Sequence, residues 1–298
     1  MNGVIIIDKP RGMSSANAVE RVRRDLGVDR AGHGGTLDPL ATGVLAICVG
    51  AGTKLAQFLL ADDKAYEAEG RLGVETDTLD RTGRVVAERE VDVSRDALLA
   101  AIADLRGVQT QVPPMFSAIK QGGVRLYHRA RAGEEVERAP RQIRIDQLEL
   151  LAFEPPRFRI AIACSKGTYV RSLVADLGTA VGAGAHLTEL RRTRSGTFTI
   201  EQAVPLDRLA EATVIPPEQA TNLPRVVVPQ PLIAQIFNGV QLPIATFGAE
   251  GLERFQLVAE DGRLLAIAHP DGGKTVYDRG FPELSPRPAA SPSGPSGP

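Results

Sequence analysis

The amino-acid sequence predicts an α+β fold: a mixed, mainly antiparallel sheet with helices at its margins. Strand-like and helix-like runs occur together, but without the regular strand-helix-strand repeat of a doubly wound sheet. The run "VIII" (4–7) reads as a buried strand, and "GVLAICVG" (43–50) and "RIAIACS" (159–165) as apolar strand-like runs. Two strand-like runs, "QIRIDQLELLAFE" and "RFRIAIAC", are separated only by Pro155 and Pro156, which makes them neighbours across a turn. With 298 residues, the chain has room for one large domain and one small one.

The elements follow in order. The strand at 4–7 stops at the turn-rich "DKPRGMSS", where Ser14 or Ser15 can cap a helix through "ANAVERVRRDL" that Gly27 ends. A glycine-rich loop, "AGHGGTLDPLA", leads into a strand at 43–49. "TKLAQFLLAD" is a predicted helix with Thr53 as N-cap. "KAYEAEGRLG" alternates as a strand does, and "VETDTLDRTGRV" is a polar, turn-forming connection. "SRDALLAAIADLRG" has a serine N-cap, helical apolar spacing and a terminal glycine. After the Pro-Pro turn, "TYVRSLVADLGTAVG" is a helix. "PPEQATNLPRVVVPQP" (216–230 region) reads as a linker. Beyond it lies a small unit with a helix "PLIAQIFNG" and two strands about the Asp261-Gly262 hairpin signal. This gives a first domain at 1–222, a second at 225–282, and a Pro/Ser/Gly tail from 283 to 298 expected to be disordered.

Composition narrows the chemistry. The net charge is −1, so total charge does not point to a polyanion. Locally, however, cations outnumber carboxylates over 106–144 and again over 157–194, which suggests one electropositive face. Cys48 and Cys164 sit in apolar runs, as buried hydrophobes in a reducing compartment do, and the N-terminus reads as neither signal peptide nor membrane span. The expected location is the cytoplasm. "GAGTK" fails the phosphate-loop spacing because Thr53 stands where glycine must precede Lys54. His33, His128, His186 and His269 share no metal-ligand spacing, and neither cysteine belongs to a C-x-x-C pair, so no metal site is expected.

What remains is Asp38, in "GHGGTLDPLATG". Pro39 pushes the aspartate backbone toward an extended form, and Gly34 and Gly35 permit close approach of a ligand. A carboxylate so fixed suits a nucleophile or general base, while an ordinary Asp-Pro turn explains the same letters. Arg171, in "SKGTYVRSL", could face the aspartate and keep it ionised, or be a surface residue. Tyr66 could be a core tyrosine. A glycosidase reading lacks an evident second acid at the loop.

Together these segments resemble the TruB family of tRNA pseudouridine synthases. "DKPRGMSS" is similar to the family's N-terminal motif, "GHGGTLDPLATGVL" to its catalytic loop, "KAYEAEGRLGVETDTLDRTG" to its tyrosine motif and "SKGTYVRSLVADLG" to its arginine motif. "GAHLTELRRTRSGTF" resembles the block closing the catalytic domain, and the match runs in order over about residues 3–210. The resemblance implies the pseudouridine synthase fold and isomerisation of uridine 55 in the tRNA T-loop, without cofactor or metal. It implies Asp38 as nucleophile, Tyr66 stacked on the uracil and Arg171 paired with Asp38. His33, Lys9, Tyr169, Leu190, Lys120 and Arg131 are implied as substrate contacts, with Lys9 and Pro10 bracing the floor of the site. Residues 107–142 correspond to an RNA-gripping insertion, and 225–282 look like a small RNA-binding module of the PUA type. The implied partner is tRNA, through its T-loop and acceptor arm, and the implied state a monomer. A tRNA-folding chaperone that binds without catalysis is the alternative.

Overall fold

The computed structural model describes residues 1–116, 120–121, 124–125 and 136–284. The first half holds β1 (Gly3–Lys9), α1 (Ser15–Asp25), β2 (Ala31–His33), β3 (Thr42–Val49), α2 (Ala56–Leu60), β4 (Lys64–Leu72), β5 (Val74–Thr76), β6 (Val85–Glu88), α3 (Arg95–Asp104) and β7 (Gly107–Gln111). Then come β8 (Lys120–Gln121), β9 (Val124–Arg125), β10 (Arg141–Glu154), β11 (Arg157–Cys164), α4 (Val170–Ala180), β12 (Ala185–Ser195), β13 (Phe198–Thr199) and β14 (Val204–Pro205). The C-terminal part holds β15 (Arg225–Val228), α5 (Gln230–Phe237), β16 (Phe255–Ala259), β17 (Leu264–Asp271) and β18 (Lys274–Gly280).

The large sheet runs β14-β1-β3-β12-β4-β11-β10-β7, with β2 added beside β3 and β13 beside β12. Its pairings are antiparallel except β1 with β14 and β3 with β12. The alternation of side chains explains the apolar runs. Ile5, Ile7, Leu45, Ile47 and Val49 face the core under the helices, while Val4, Ile6, Val44, Ala46 and Cys48 face a second core shared with Val258, Leu264, Ile267 and Phe281. The sheet is therefore buried on both faces at this end, and its strands need apolar residues at successive positions. Across β4 and β11 only the helix face is covered. The opposite face carries cross-strand ion pairs, Arg157 Nη1 to Glu69 Oε1 at 3.0 Å and Arg159 Nη2 to Glu67 Oε2 at 3.2 Å.

Several elements differ from the sequence expectation. Thr53 caps no helix: it lies inside a 3₁₀ turn, Gly50–Leu55, with its hydroxyl donating to Gly50 O at 2.8 Å, and the α-helix begins only at Ala56. The polar connection at 74–85 contains β5 and the start of β6. The "linker" contains β15, which pairs in parallel with β16 and so opens the small sheet β15-β16-β17-β18. The proline spacing hid a four-residue strand. β12, central to the large sheet, was not anticipated because its run "ELRRTR" is charged.

Candidate active site

The loop carrying Asp38 lies between β2 and β3, and its backbone is tied at almost every residue. Gly34 N–H donates to Ala46 O at 2.9 Å, Ala41 N–H to Asp38 O at 3.0 Å, and Gly12 N–H to Pro39 O at 2.7 Å. One hydroxyl holds both backbone groups of Leu37: its N–H donates to Ser15 Oγ at 2.8 Å, and Ser15 Oγ donates to Leu37 O at 3.0 Å. Ser14, not Ser15, caps α1 by accepting from Asn17 N–H at 3.1 Å, which leaves Ser15 available for the loop.

Arg192 completes the clamp from β12. It is 2% exposed, and its Nε donates to Val44 O at 2.8 Å, Nη2 to Gly35 O at 3.1 Å and Nη1 to Thr36 O at 3.3 Å. Gly43, at φ +100°, allows β12 this close, since a Cβ there would lie 2.2 Å from Arg192 O. Gly34 thus makes room for protein, whereas Gly35 also lines the cavity beside Asp38. A Cβ on Gly34 would lie 2.8 Å from Leu59 Cβ, and Gly35 faces the Arg192 guanidinium.

Arg171, on the first turn of α4, reaches the aspartate. Its Nε lies 2.9 Å from Asp38 Oδ2, an ion pair in which the N–H is not aimed along a hydrogen bond. The rest of the guanidinium is fixed: Nη1 donates to Thr78 O at 3.0 Å and Nη2 to Phe116 O at 2.7 Å. Behind it, Asp80 Oδ2 stands 3.8 Å from Nη1, while Asp80 Oδ1 accepts from Thr78 Oγ1 and Thr82 N–H, each at 2.9 Å. The arginine side chain is 4% exposed and that of Asp38 36%, so the cation is sealed in and the carboxylate left open. An opposite charge at this distance orients the carboxylate.

Asp38 opens onto a cavity of about 250 Å³ whose walls include Tyr66, Leu190, Tyr169, Lys64 and Arg192. Tyr66 comes from β4, in register with Arg192 of β12 and Ile162 of β11. Burial pushes its phenol pKa up, with the Arg192 charge opposing. The ammonium of Lys64, 7% exposed, donates to Leu60 O at 3.0 Å, and burial pushes its pKa down to about 8.

Of the nine residues singled out in the sequence, the cavity brings together Asp38, Tyr66, Arg171, Tyr169 and Leu190. Lys9 is different. It is fully buried, and its ammonium donates to Pro10 O at 2.9 Å and Met13 O at 2.7 Å, bracing the turn whose Gly12 holds Pro39. Burial pushes its pKa down to about 8, and the enclosed side chain braces the floor of the site, as the resemblance implied, without reaching the cavity as a substrate contact would. His33 stands on β2 opposite Ile47 of β3, outside the cavity lining. Lys120 falls on the two-residue β8, and Arg131 lies outside the described residues. The expected electropositive face is reduced by pairing, since Arg144, Arg157, Arg159 and Arg191 have carboxylate partners from elsewhere in the chain.

Sequence reasoning missed Arg192, Asp80 and Ser15 as parts of the site. Each lies inside a recognisable motif, but each acts on backbone or on another side chain, which residue type alone does not reveal.

A model described as the TruB family pseudouridylate synthase N-terminal domain matches residues 23–170. Another, described as the tRNA pseudouridylate synthase B C-terminal domain, matches 171–231. A tRNA pseudouridine synthase B of Aromatoleum aromaticum is 47% identical over 284 residues, 93% of this chain and 91% of the relative. The chain belongs to the TruB family. A TruB-family relative from Pseudomonas paraeruginosa, also a tRNA pseudouridine synthase B, is 53% identical over 209 residues, 70% of this chain and 69% of its own length. Among solved structures, a chain of a Cbf5-Nop10-Gar1 complex superposes with TM-score 0.73 at 26% identity, covering 96% of this chain and 85% of that one. The TruB N-terminal match contains Asp38 and Tyr66, and the second match begins at Arg171. The site is therefore assembled from both segments.

Proposed function

We propose that this chain isomerises uridine 55 in the T-loop of tRNA to pseudouridine, with Asp38 as nucleophile. The observation that carries the reading is one cavity, in a TruB-family chain, where an open carboxylate is held by a sealed arginine beside a tyrosine. The reaction breaks the N1–C1′ glycosidic bond, turns the uracil and joins C5 to C1′, with the C5 hydrogen leaving as a proton and N1 taking one up. No electrons are gained or lost. Asp38, aimed by Arg171, attacks the target nucleotide. Burial keeps the Tyr66 phenol protonated, which suits it to offer a neutral aromatic face to the base. A uridine in a folded loop leaves its stack to reach such a cavity, and aromatic faces with nearby cations are the usual means of holding it.

The same reading assigns His33, Lys120 and Arg131 to RNA contacts outside the cavity and makes the unit at 225–282 an RNA-binding module of the PUA type. The chain acts as a monomer in the cytoplasm. The intact Asp38–Arg171 pair disfavours a chaperone that binds tRNA without reacting. To test the reading, unmodified tRNA transcript is incubated with the purified chain and its pseudouridines are mapped. Modification at position 55, and none in a transcript carrying cytidine there, is expected. An unmodified transcript, or modification only elsewhere, would overturn it.

A further inference from the structure

β7 ends at Gln111 and β10 begins at Arg141, and these residues are partners in the β7–β10 ladder. They form the rung from which the chain leaves the sheet for residues 112–140 and to which it returns. Both residues reach Tyr169, which lines the same cavity as Asp38 and Tyr66.

Gln111, 3% exposed, takes both backbone groups of Tyr169: Tyr169 N–H donates to Gln111 Oε1 at 2.8 Å, and Gln111 Nε2 donates to Tyr169 O at 3.1 Å. Arg141 takes the ring, with its guanidinium carbon 4.6 Å from the ring centroid. Gly167 leaves space for that cation, because a Cβ there would lie 3.2 Å from Arg141 Nη1 and the backbone sits at φ +83°. Among the described residues, Arg141 Nε and Nη2 are buried without a hydrogen-bond partner, and the aromatic face is the contact these residues give the guanidinium. A partly desolvated cation gains more from an aromatic face than an exposed one does.

We propose that Gln111 and Arg141 are positioning residues for the isomerisation, fixing the backbone and ring of Tyr169 as the wall against which the target nucleotide is aligned. The inference rests on the cavity being the nucleotide site. Displacements of about 1 Å in such a wall can cost about a hundredfold in rate. Neither residue needs to touch the reacting atoms.

The test separates rate from binding. Arg141→Met removes the charge and the plane at similar length, and Arg141→Lys keeps a cation that can sit over the ring. Single-turnover tritium release from tRNA labelled at uracil C5 should fall about tenfold in Arg141→Met, with the dissociation constant for tRNA changed less than about threefold, and recover in part in Arg141→Lys. Gln111→Met should show the same split between rate and affinity. In a Tyr169→Leu background, Arg141→Met should cost little more, because the residue acts through the ring.

Wild-type rates in Arg141→Met and Gln111→Met would overturn the proposal. So would a loss confined to tRNA affinity, or effects of Arg141→Met and Tyr169→Leu that multiply independently. If thermal unfolding showed Arg141→Met to be misfolded, a wild-type rate in Tyr169→Leu would overturn the proposal and a reduced one would support it. Release by the wild type alongside unaffected variants would leave the functional reading standing, whereas no release by the wild type would remove both.

Discussion

Replacing Arg192 with methionine removes the side chain that closes the Asp38 loop from behind. The guanidinium makes two well-formed hydrogen bonds, to Val44 O at 2.8 Å and Gly35 O at 3.1 Å, and a longer one to Thr36 O at 3.3 Å. Hydrogen bonds from a charged donor contribute about 1.5–3 kcal/mol each, and removing the donor leaves buried carbonyls unmatched. The methionine stem refills part of the space, and the cost of keeping the charge away from water disappears. The net loss is expected at about 3–5 kcal/mol, against a total stability of about 5–15 kcal/mol for an ordinary domain. Arg192→Lys keeps the charge but not the fork, and should lose about half as much. Urea unfolding measures both, with an unchanged denaturant slope as the sign that only stability moved. A loss below about 1 kcal/mol in Arg192→Met would refute the view that this residue holds the loop.

Other consequences can be measured. Ser15→Ala leaves the Leu37 N–H and C=O without their partner, and should lower urea stability by about 1–3 kcal/mol and slow tritium release. Asp80→Asn removes the carboxylate behind Arg171, and should reduce the single-turnover rate at least about tenfold with tRNA affinity nearly intact; an unchanged rate would show that the backbone carbonyls suffice. Burial lowers the Lys64 pKa to about 8 from the ordinary 10.5. Between those pH values the unfolded chain holds a proton that the folded chain has released, so this residue's contribution to stability rises with pH across the window. The stability of wild type relative to Lys64→Met should therefore increase from about pH 8 to pH 10.5, and a flat difference would contradict the shift.

That Asp38, Tyr66 and Arg171 meet in one cavity was legible because short motifs surround each of them, and the glycines of the loop marked a constrained backbone. Why the backbone is constrained was not legible. The ties come from Ser15, Gly12 and Arg192, which are distant in sequence and act on carbonyls and amides that every residue possesses. For Lys9 the motif implied both a brace and a substrate contact, and residue type alone could not choose between them; its ammonium donates to Pro10 O and Met13 O, as a brace does. Strands buried on both faces announced themselves through apolar runs, whereas β12 did not, because its buried arginine is matched by carbonyls across the sheet rather than by apolar neighbours. Local charge also overstated the free cations, since the carboxylates that neutralise Arg157 and Arg159 come from β4.

The central claim is that the Asp38 carboxylate performs the chemistry and that the rest of the site holds it ready. Tritium release from unmodified tRNA labelled at uracil C5 tests it most directly, comparing wild type with Asp38→Asn, which keeps the size and removes the charge. The account predicts cofactor-free release by the wild type approaching one equivalent from the target uridine, and none above background by Asp38→Asn even when tRNA binding is saturated. Release by Asp38→Asn at a rate near the wild type would contradict it.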